Sequence, residues 1–269
     1  MNSGPVLAKF GGELVETPER LDAVGKALAA LAATGPLVVV HGGGREIDAE
    51  LARRGVAKQA VDGLRITDAA TLEAVVAVLG GTINTRLVAH LVGLGIKAVG
   101  LTGVDAALGR ATRAAAHITA AGSQVDLGLV GEPDVTADLG LVAHLLAGGY
   151  VPVIASLGVS AGAGVLNVNA DTLAAHVAAG IGARELVLVG GTAGVLDGAG
   201  ATIAALTPTE AEAMMQDGTA SAGMIAKLRA ATAALTRGVS MVSIVDGRSA
   251  QSILDRRGTR VGSSTNAER

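Results

Sequence analysis

Short apolar runs alternate with amphipathic stretches along this chain, and that alternation limits the folds open to it more than any other feature. The strand-like runs are VLAKF (6–10), LVVVHG (37–42), IKAVGL (96–101), VPVIAS (151–156), LVLVG (186–190) and VSMVSIVDG (239–247). They are continuously apolar, the pattern of strands covered on both faces. Helices fill the gaps. TPERLDAVGKALAALAATG (17–35) opens with Thr17 as an N-cap and Pro18 at the first helical position, repeats Leu21, Val24, Leu28 and Leu31 at helical spacing, and stops at Gly35. TPTEAEAMM (207–215) opens with a capping box from Thr207 to Glu210. This order predicts an α/β fold: a three-layer αβα sandwich around a mainly parallel central sheet. One departure is HITAAGSQVDLGLVG (117–131), where two β-like runs around AGS predict a hairpin. A soft boundary near Gly182 divides the chain into two lobes, 1–182 and 183–269, and the polar tail SSTNAER reads as a frayed end.

Composition narrows the partners. The chain has 269 residues, 50% of them hydrophobic, so an ample core of Ala, Val and Leu is available. Its two aromatic rings, Phe10 and Tyr150, cannot build a stacking platform for single-stranded nucleic acid. A net charge of −3 offers no broad basic face, so neither nucleic acid nor an anionic membrane is expected as a partner. Cysteine is absent, which excludes disulfides, thiolate nucleophiles and zinc–thiolate sites. MNSGPVLAKF shows no basic segment followed by a long apolar one, so a cytoplasmic location is expected. The most apolar long stretch, LVAHLLAGGYVPVIASLG (141–158), is interrupted by His144, paired glycines and Pro152, and reads as helix, turn and buried strand.

Within VLAKFGG, Lys9 stands in an apolar run that ends in two glycines, Gly11 and Gly12. A buried ammonium needs a partner. Two readings are open: an edge-strand lysine that discourages aggregation, or a strand-end cation pointing at an anion held by glycine backbone. No phosphate loop of the G-x-x-x-x-G-K-[ST] type occurs, and GLGIKA (93–98) follows a helix rather than a strand, so it reads as a helix stop. HGGGREID (41–48) has the better context. It follows the strand LVVV and opens a helix, and its glycines let backbone N–H groups approach a negatively charged ligand. His41 is a candidate to support that turn; His90, His117, His144 and His176 show no metal-ligand spacing. In DGLRITD (62–68), Arg65 sits among apolar neighbours before a helix that Thr67 or Asp68 could cap. Its guanidinium suits a carboxylate, although a surface arginine fits equally. In LNVNAD (166–171), Asn167, Asn169 and Asp171 share one face of an extended segment; a helix cap by Asp171 would explain the aspartate but not both asparagines. GMIAKLRA (223–230) places Lys227 near a helix start, where a cation opposes the helix dipole unless an anion is bound. There are only five lysines, Lys9, Lys26, Lys58, Lys97 and Lys227.

Taken in order, VLAKFGG, VVVHGGGREID, DGLRITD, LTGVD, VDLGLVGEP, VPVIASLG, LNVNAD, GMIAK and IVDGR resemble the amino acid kinase family over nearly the whole chain. The resemblance implies a larger N-terminal lobe for an amino-acid substrate and a smaller C-terminal lobe for nucleotide. It implies MgATP-dependent phosphorylation of the side-chain carboxylate of N-acetyl-L-glutamate, the second step of arginine synthesis, with Mg2+ held mainly by the ATP phosphates. By the family pattern Lys9 and Lys227 flank the transferring phosphoryl group, with Gly11 and Gly12 beside the nucleotide phosphates, and Asp171 orients both lysines. Gly43 and Gly44 stabilise the moving oxygens, while Arg65 and Asn167 hold the substrate's α-carboxylate and acetamido group. A related kinase for carrier-bound aminoadipate or glutamate, and a non-catalytic sensor, share parts of the pattern. HGGG with LRITD favours acetylglutamate, and the set Lys9, Asp171 and Lys227 favours catalysis. Two positions depart from the family: Gly190-Gly191 stands where members carry Thr-Asp, and Thr85 follows Asn84 where many carry Asn-Lys. Only Met1 to Pro5 precede the first strand, so the resemblance implies a homodimer with little arginine feedback.

Overall fold

The computed structural model describes residues 4–119, 122–217 and 219–262; the tail SSTNAER lies outside the described residues. Among the described residues, eight strands form the central sheet: β1 (Val6–Phe10), β2 (Leu37–His41), β3 (Ala98–Thr102), β4 (Val151–Ala155), β5 (Glu185–Gly190), β6 (Ala205–Leu206), β7 (Met241–Asp246) and β8 (Gly258–Val261). Their order is β6-β8-β7-β5-β1-β2-β4-β3. Every neighbouring pair is parallel except β7 with β8. Each of the six apolar runs forms a strand. β6 and β8 were not predicted, because β6 is only two residues, AL, and GTRV carries no apolar run, and the burial of β8 alternates as at a sheet margin.

The helices are α1 (Pro18–Thr34), α2 (Gly44–Arg53), α3 (Ala69–Gly93), α4 (Gly140–Ala147), α5 (Ala170–Gly180), α6 (Pro208–Gln216), α7 (Ala222–Thr236) and α8 (Ala250–Leu254). Thr17 caps α1, Asp68 caps α3, and Thr207 with Glu210 forms the capping box of α6. Strand side chains alternate between two faces. Leu7, Val38, Val40, Ile154, Leu186 and Leu188 pack with α5 and α7; Ala8, Phe10, Val39, Val153, Val187 and Val189 pack with α1 and α3. Lys9 shares the parity of Leu7, so its side chain leaves the sheet on the α5 side.

By length and hydropathy, 25 residues at 1.5, α3 could cross a membrane. Here Ala74, Val75, Val78, Leu79, Ile83, Leu87 and Leu91 of this helix are buried in the core, and its middle turn, Ala77–Ile83, widens to π geometry. Over the α5 face lies a smaller sheet. Leu157–Val159 pairs antiparallel with Val165–Val168, which runs parallel to Val130–Pro133, itself antiparallel to Ala111–Arg113. The predicted hairpin is present as His117–Ile118 against Gln124–Val125.

Candidate active site

At the carboxyl ends of parallel strands, chain reversals leave a crevice for a ligand. Two glycine loops meet there, one after β1 and one after β2. A Cβ added to Gly12 would lie 2.6 Å from the Cα of Gly43, and one added to Gly43 would lie 2.2 Å from Ile83 Cδ1. Only glycine lets these loops interlock. α2 begins at Gly44 with Gly43 as its N-cap and no side chain capping it, so the first-turn amides are available to an anion. Arg86 braces the arrangement by donating to the Val15 carbonyl at 2.9 Å and to Glu46 Oε1 at 2.6 Å.

Facing the loops are three charged side chains. Lys9, 5% exposed, places Nζ 2.9 Å from Asp171 Oδ1. Lys227 Nζ lies 3.2 Å from each oxygen of the same carboxylate. One buried anion therefore serves two cations, and a positive charge is left over for a ligand. Burial pushes the Asp171 carboxyl up, but the Lys9 and Lys227 ammoniums outweigh it and hold the group below its usual range. Burial, followed by repulsion from Lys9, pushes Lys227 down to about 8. Asp171 is held in place by its neighbour: Asn169 caps α5, accepting from the amides of Asp171 at 2.9 Å and Thr172 at 3.1 Å. The cap suggested for Asp171 thus belongs to Asn169, which frees the aspartate for the lysines.

Lys227 requires a correction. It lies in the second turn of α7, not at the helix start, so the dipole argument does not single it out. Burial against Asp171 does. Gly190, at the end of β5, makes room for it: a Cβ there would lie 3.2 Å from Lys227 Cε. Arg65, with its side chain 14% exposed, is not a surface arginine. It pairs with Asp48, donates to the Gly44 carbonyl at 3.2 Å, and leaves Nη1 buried without a partner among the described residues. Asn167 donates to Thr67 Oγ1 at 3.0 Å. Lys9, Gly11, Gly12, Gly43, Gly44, Arg65, Asn167 and Asp171 line one cavity of about 290 Å³, with Lys227 joined to it through Asp171. A larger cavity of about 590 Å³ shares Leu64, Val130 and Asn169 with it, but its lining includes neither lysine and neither glycine loop.

Sequence reasoning missed Asp48 and Thr67 as partners of Arg65 and Asn167. Asp48 stands four residues beyond Gly44 in the quoted HGGGREID, but nothing local points it at Arg65. Asn84, whose neighbour Thr85 departs from the family, turns out to be buried beneath the loop after β2 and bonded to His41. Chemically, the cavity can bind a polyanion through amides and ammoniums, with the Arg65 guanidinium in its lining for a second acidic group.

Residues 5–246 match the sequence profile of the amino acid kinase family. The acetylglutamate kinase of Symbiobacterium thermophilum is 43% identical over 255 residues, which is 93% of this chain and 86% of that protein. That of Aromatoleum aromaticum is 41% identical over 90% of this chain and 82% of its own. Among solved structures, smu.665 from Streptococcus mutans superposes with a TM-score of 0.80 at 25% identity, covering 97% of this chain and 99% of that one. Carbamate kinase from Giardia lamblia shares the fold alone, with a TM-score of 0.68 at 14% identity over 97% of this chain and 98% of its own. With the profile matched across the site and both glycine loops, the chain belongs to the amino acid kinase family.

Proposed function

We propose that the protein transfers the γ-phosphoryl group of MgATP to the side-chain carboxylate of N-acetyl-L-glutamate, yielding N-acetyl-L-glutamyl 5-phosphate and MgADP for arginine biosynthesis. The observation that carries this reading is the Lys9–Asp171–Lys227 cluster facing two interlocked glycine loops. Its support is the similarity to acetylglutamate kinases at about 40% identity along most of the chain.

A carboxylate oxygen of the substrate attacks the γ-phosphorus as the bond to the β,γ-bridging oxygen breaks, and the bond's electrons leave with ADP. No base is needed, because the acceptor carboxyl is ionised at pH 7. What the reaction needs is alignment and neutralisation of charge spreading over the phosphoryl oxygens. Lys9 and Lys227 supply the charge from opposite sides, with Gly11 and Gly12 along the phosphates. The amides of Gly43 and Gly44 point at the transferring oxygens. Asp171 keeps the two ammoniums apart and oriented. Arg65 and Asn167 hold the substrate's α-carboxylate and acetamido group. Magnesium enters with ATP as part of that substrate. In this reading the enzyme works in the cytoplasm as a homodimer.

The test is an ADP-release assay with acetylglutamate, acetylaspartate, acetylaminoadipate and free glutamate side by side, with light scattering at micromolar protein for the dimer. Acetylglutamate is expected to give the highest kcat/KM. Faster turnover of another member of the panel, or none of acetylglutamate, would reject the assignment.

A further inference from the structure

Beneath the second glycine loop lies a buried polar pair that phosphoryl transfer does not by itself call for. His41, the last residue of β2, is fully buried, and Asn84 of α3 is 5% exposed. Asn84 Nδ2 stands 2.9 Å from the Val153 carbonyl, 3.2 Å from the Leu101 carbonyl and 3.1 Å from His41 Nε2. Two main-chain carbonyls can only accept, so they fix which way the amide faces. The NH2 group shares two hydrogens among these three neighbours and has no lone pair to offer, so His41 Nε2 faces it with its own lone pair and not with a proton. The ring proton therefore sits on Nδ1, which donates to the Gly42 carbonyl at 3.3 Å. Burial keeps the ring neutral, with its pKa pushed down to about 4.

The Gly42 carbonyl and the Gly43 amide belong to the same planar peptide and point in opposite directions. Drawing the carbonyl inward toward the imidazole turns the Gly43 N–H outward toward the cavity. Gly43 also packs on Ile83, the residue next to Asn84, so loop and pair are fixed to the same turn of α3. Asn84 in turn fills a slot that Gly100 leaves open, since a Cβ there would lie 2.3 Å from Asn84 Oδ1. An apolar pair of equal volume could fill this space. It could not orient a peptide plane.

We infer that the His41–Asn84 pair is a positioning device that sets the Gly42–Gly43 peptide plane and so aims the Gly43 amide at the transferring phosphoryl group. The inference rests on the phosphoryl-transfer reading above. It is tested with His41→Leu, which keeps the bulk, and His41→Asn, whose amide nitrogen takes the place of Nδ1. Two quantities are read on folded protein: kcat with acetylglutamate, and the change in the Gly43 amide resonance on saturation with magnesium and a non-hydrolysable ATP analogue. In His41→Leu, kcat is expected to fall on the order of tenfold to a hundredfold, less than the hundredfold to thousandfold for outright loss of one oxyanion donor, because the amide is misaimed and not removed. KM for both substrates stays within threefold, and the Gly43 shift change drops by at least half. His41→Asn recovers part of both. An unchanged value of either quantity in His41→Leu, or no recovery in His41→Asn, overturns the inference. If His41→Leu does not fold, Asn84→Ala, which removes the orienting donor, is read in the same way. If the wild type leaves acetylglutamate untouched, the substrate reading fails and the Gly43 resonance alone decides the role of His41.

Discussion

Asp171 balances two ammonium groups with one carboxylate, and the proposed mechanism gives the three side chains different tasks. In the proposed mechanism Lys227 contributes a charge that matters most as the phosphoryl group leaves ADP. Lys227→Ala is expected to lower kcat on the order of a hundredfold with little change in KM. Steady-state kinetics on folded variant checks this, and near-normal turnover would remove Lys227 from the mechanism. The same residue sets a pH limit. Burial and the neighbouring Lys9 push its ammonium down to about 8, so in the proposed mechanism kcat/KM should fall as pH rises through about 8. Bound phosphates favour the charged form, so the corresponding limb in kcat should lie at higher pH. Rate profiles from pH 6 to 10 separate the two, and a kcat/KM flat across that range would contradict the role. The sign for stability is opposite. Because folding lowers this pKa from the usual 10.5, the unfolded chain binds more protons between about 8 and 10.5, and Lys227 adds stability as pH rises through that window.

The first turn of α5 decides where Asp171 stands. Its Asn169 cap accepts two amides, one of them that of Asp171 itself. Asn169→Ala should cost about 1 kcal/mol, or roughly 2–4 °C in Tm for a chain of this size. It should also lower kcat, because the aspartate loses its anchor. Asn169→Ser, an equally good cap, should restore both. Calorimetry and kinetics on the same samples check the pairing; an alanine variant that melts like wild type would mean the turn is held by packing instead. The element scale also shows what local patterns reveal. Caps at Thr17 and Thr207 and the six apolar runs were readable because each depends on neighbours within a few residues. β6 and β8 were not, because marginal strands gain their stability from the sheet they join.

The eight-stranded sheet joins both halves of the chain, with β1 hydrogen-bonded to β2 on one side and β5 on the other. At the opposite end of the strands from the site, Glu185 of β5 receives Arg256 at 2.7 and 2.9 Å and the hydroxyl of Ser243 from β7 at 2.9 Å. Removing one member of such a buried set strands the other charge. Glu185→Ala is expected to cost about 3–5 kcal/mol and lower Tm by roughly 10 °C. Its kcat per folded molecule should stay unchanged, since five residues of strand, about 16 Å, separate Glu185 from Gly190 beside Lys227. A melt followed by kinetics below the transition tests both halves of the statement, and a large fall in kcat would show that the sheet relays strain to the site.

The amino-acid order by itself determined the layered α/β architecture, the position of both glycine loops and the anomaly of a lysine in a buried strand. Each follows from short-range rules: apolar runs, caps, and loop positions rich in glycine between a strand and a helix. The tertiary structure alone decided that Lys9 and Lys227 share Asp171, that Asn169 rather than Asp171 caps α5, and that Arg65 and Asn167 turn into the same cavity. Lys227 and Asp171 are 56 residues apart, Asn167 and Thr67 are 100 apart, and His41 and Asn84 are 43 apart. Pairs at such separations leave no periodic trace in a sequence, because what joins them is the register of neighbouring strands and the face on which each helix packs.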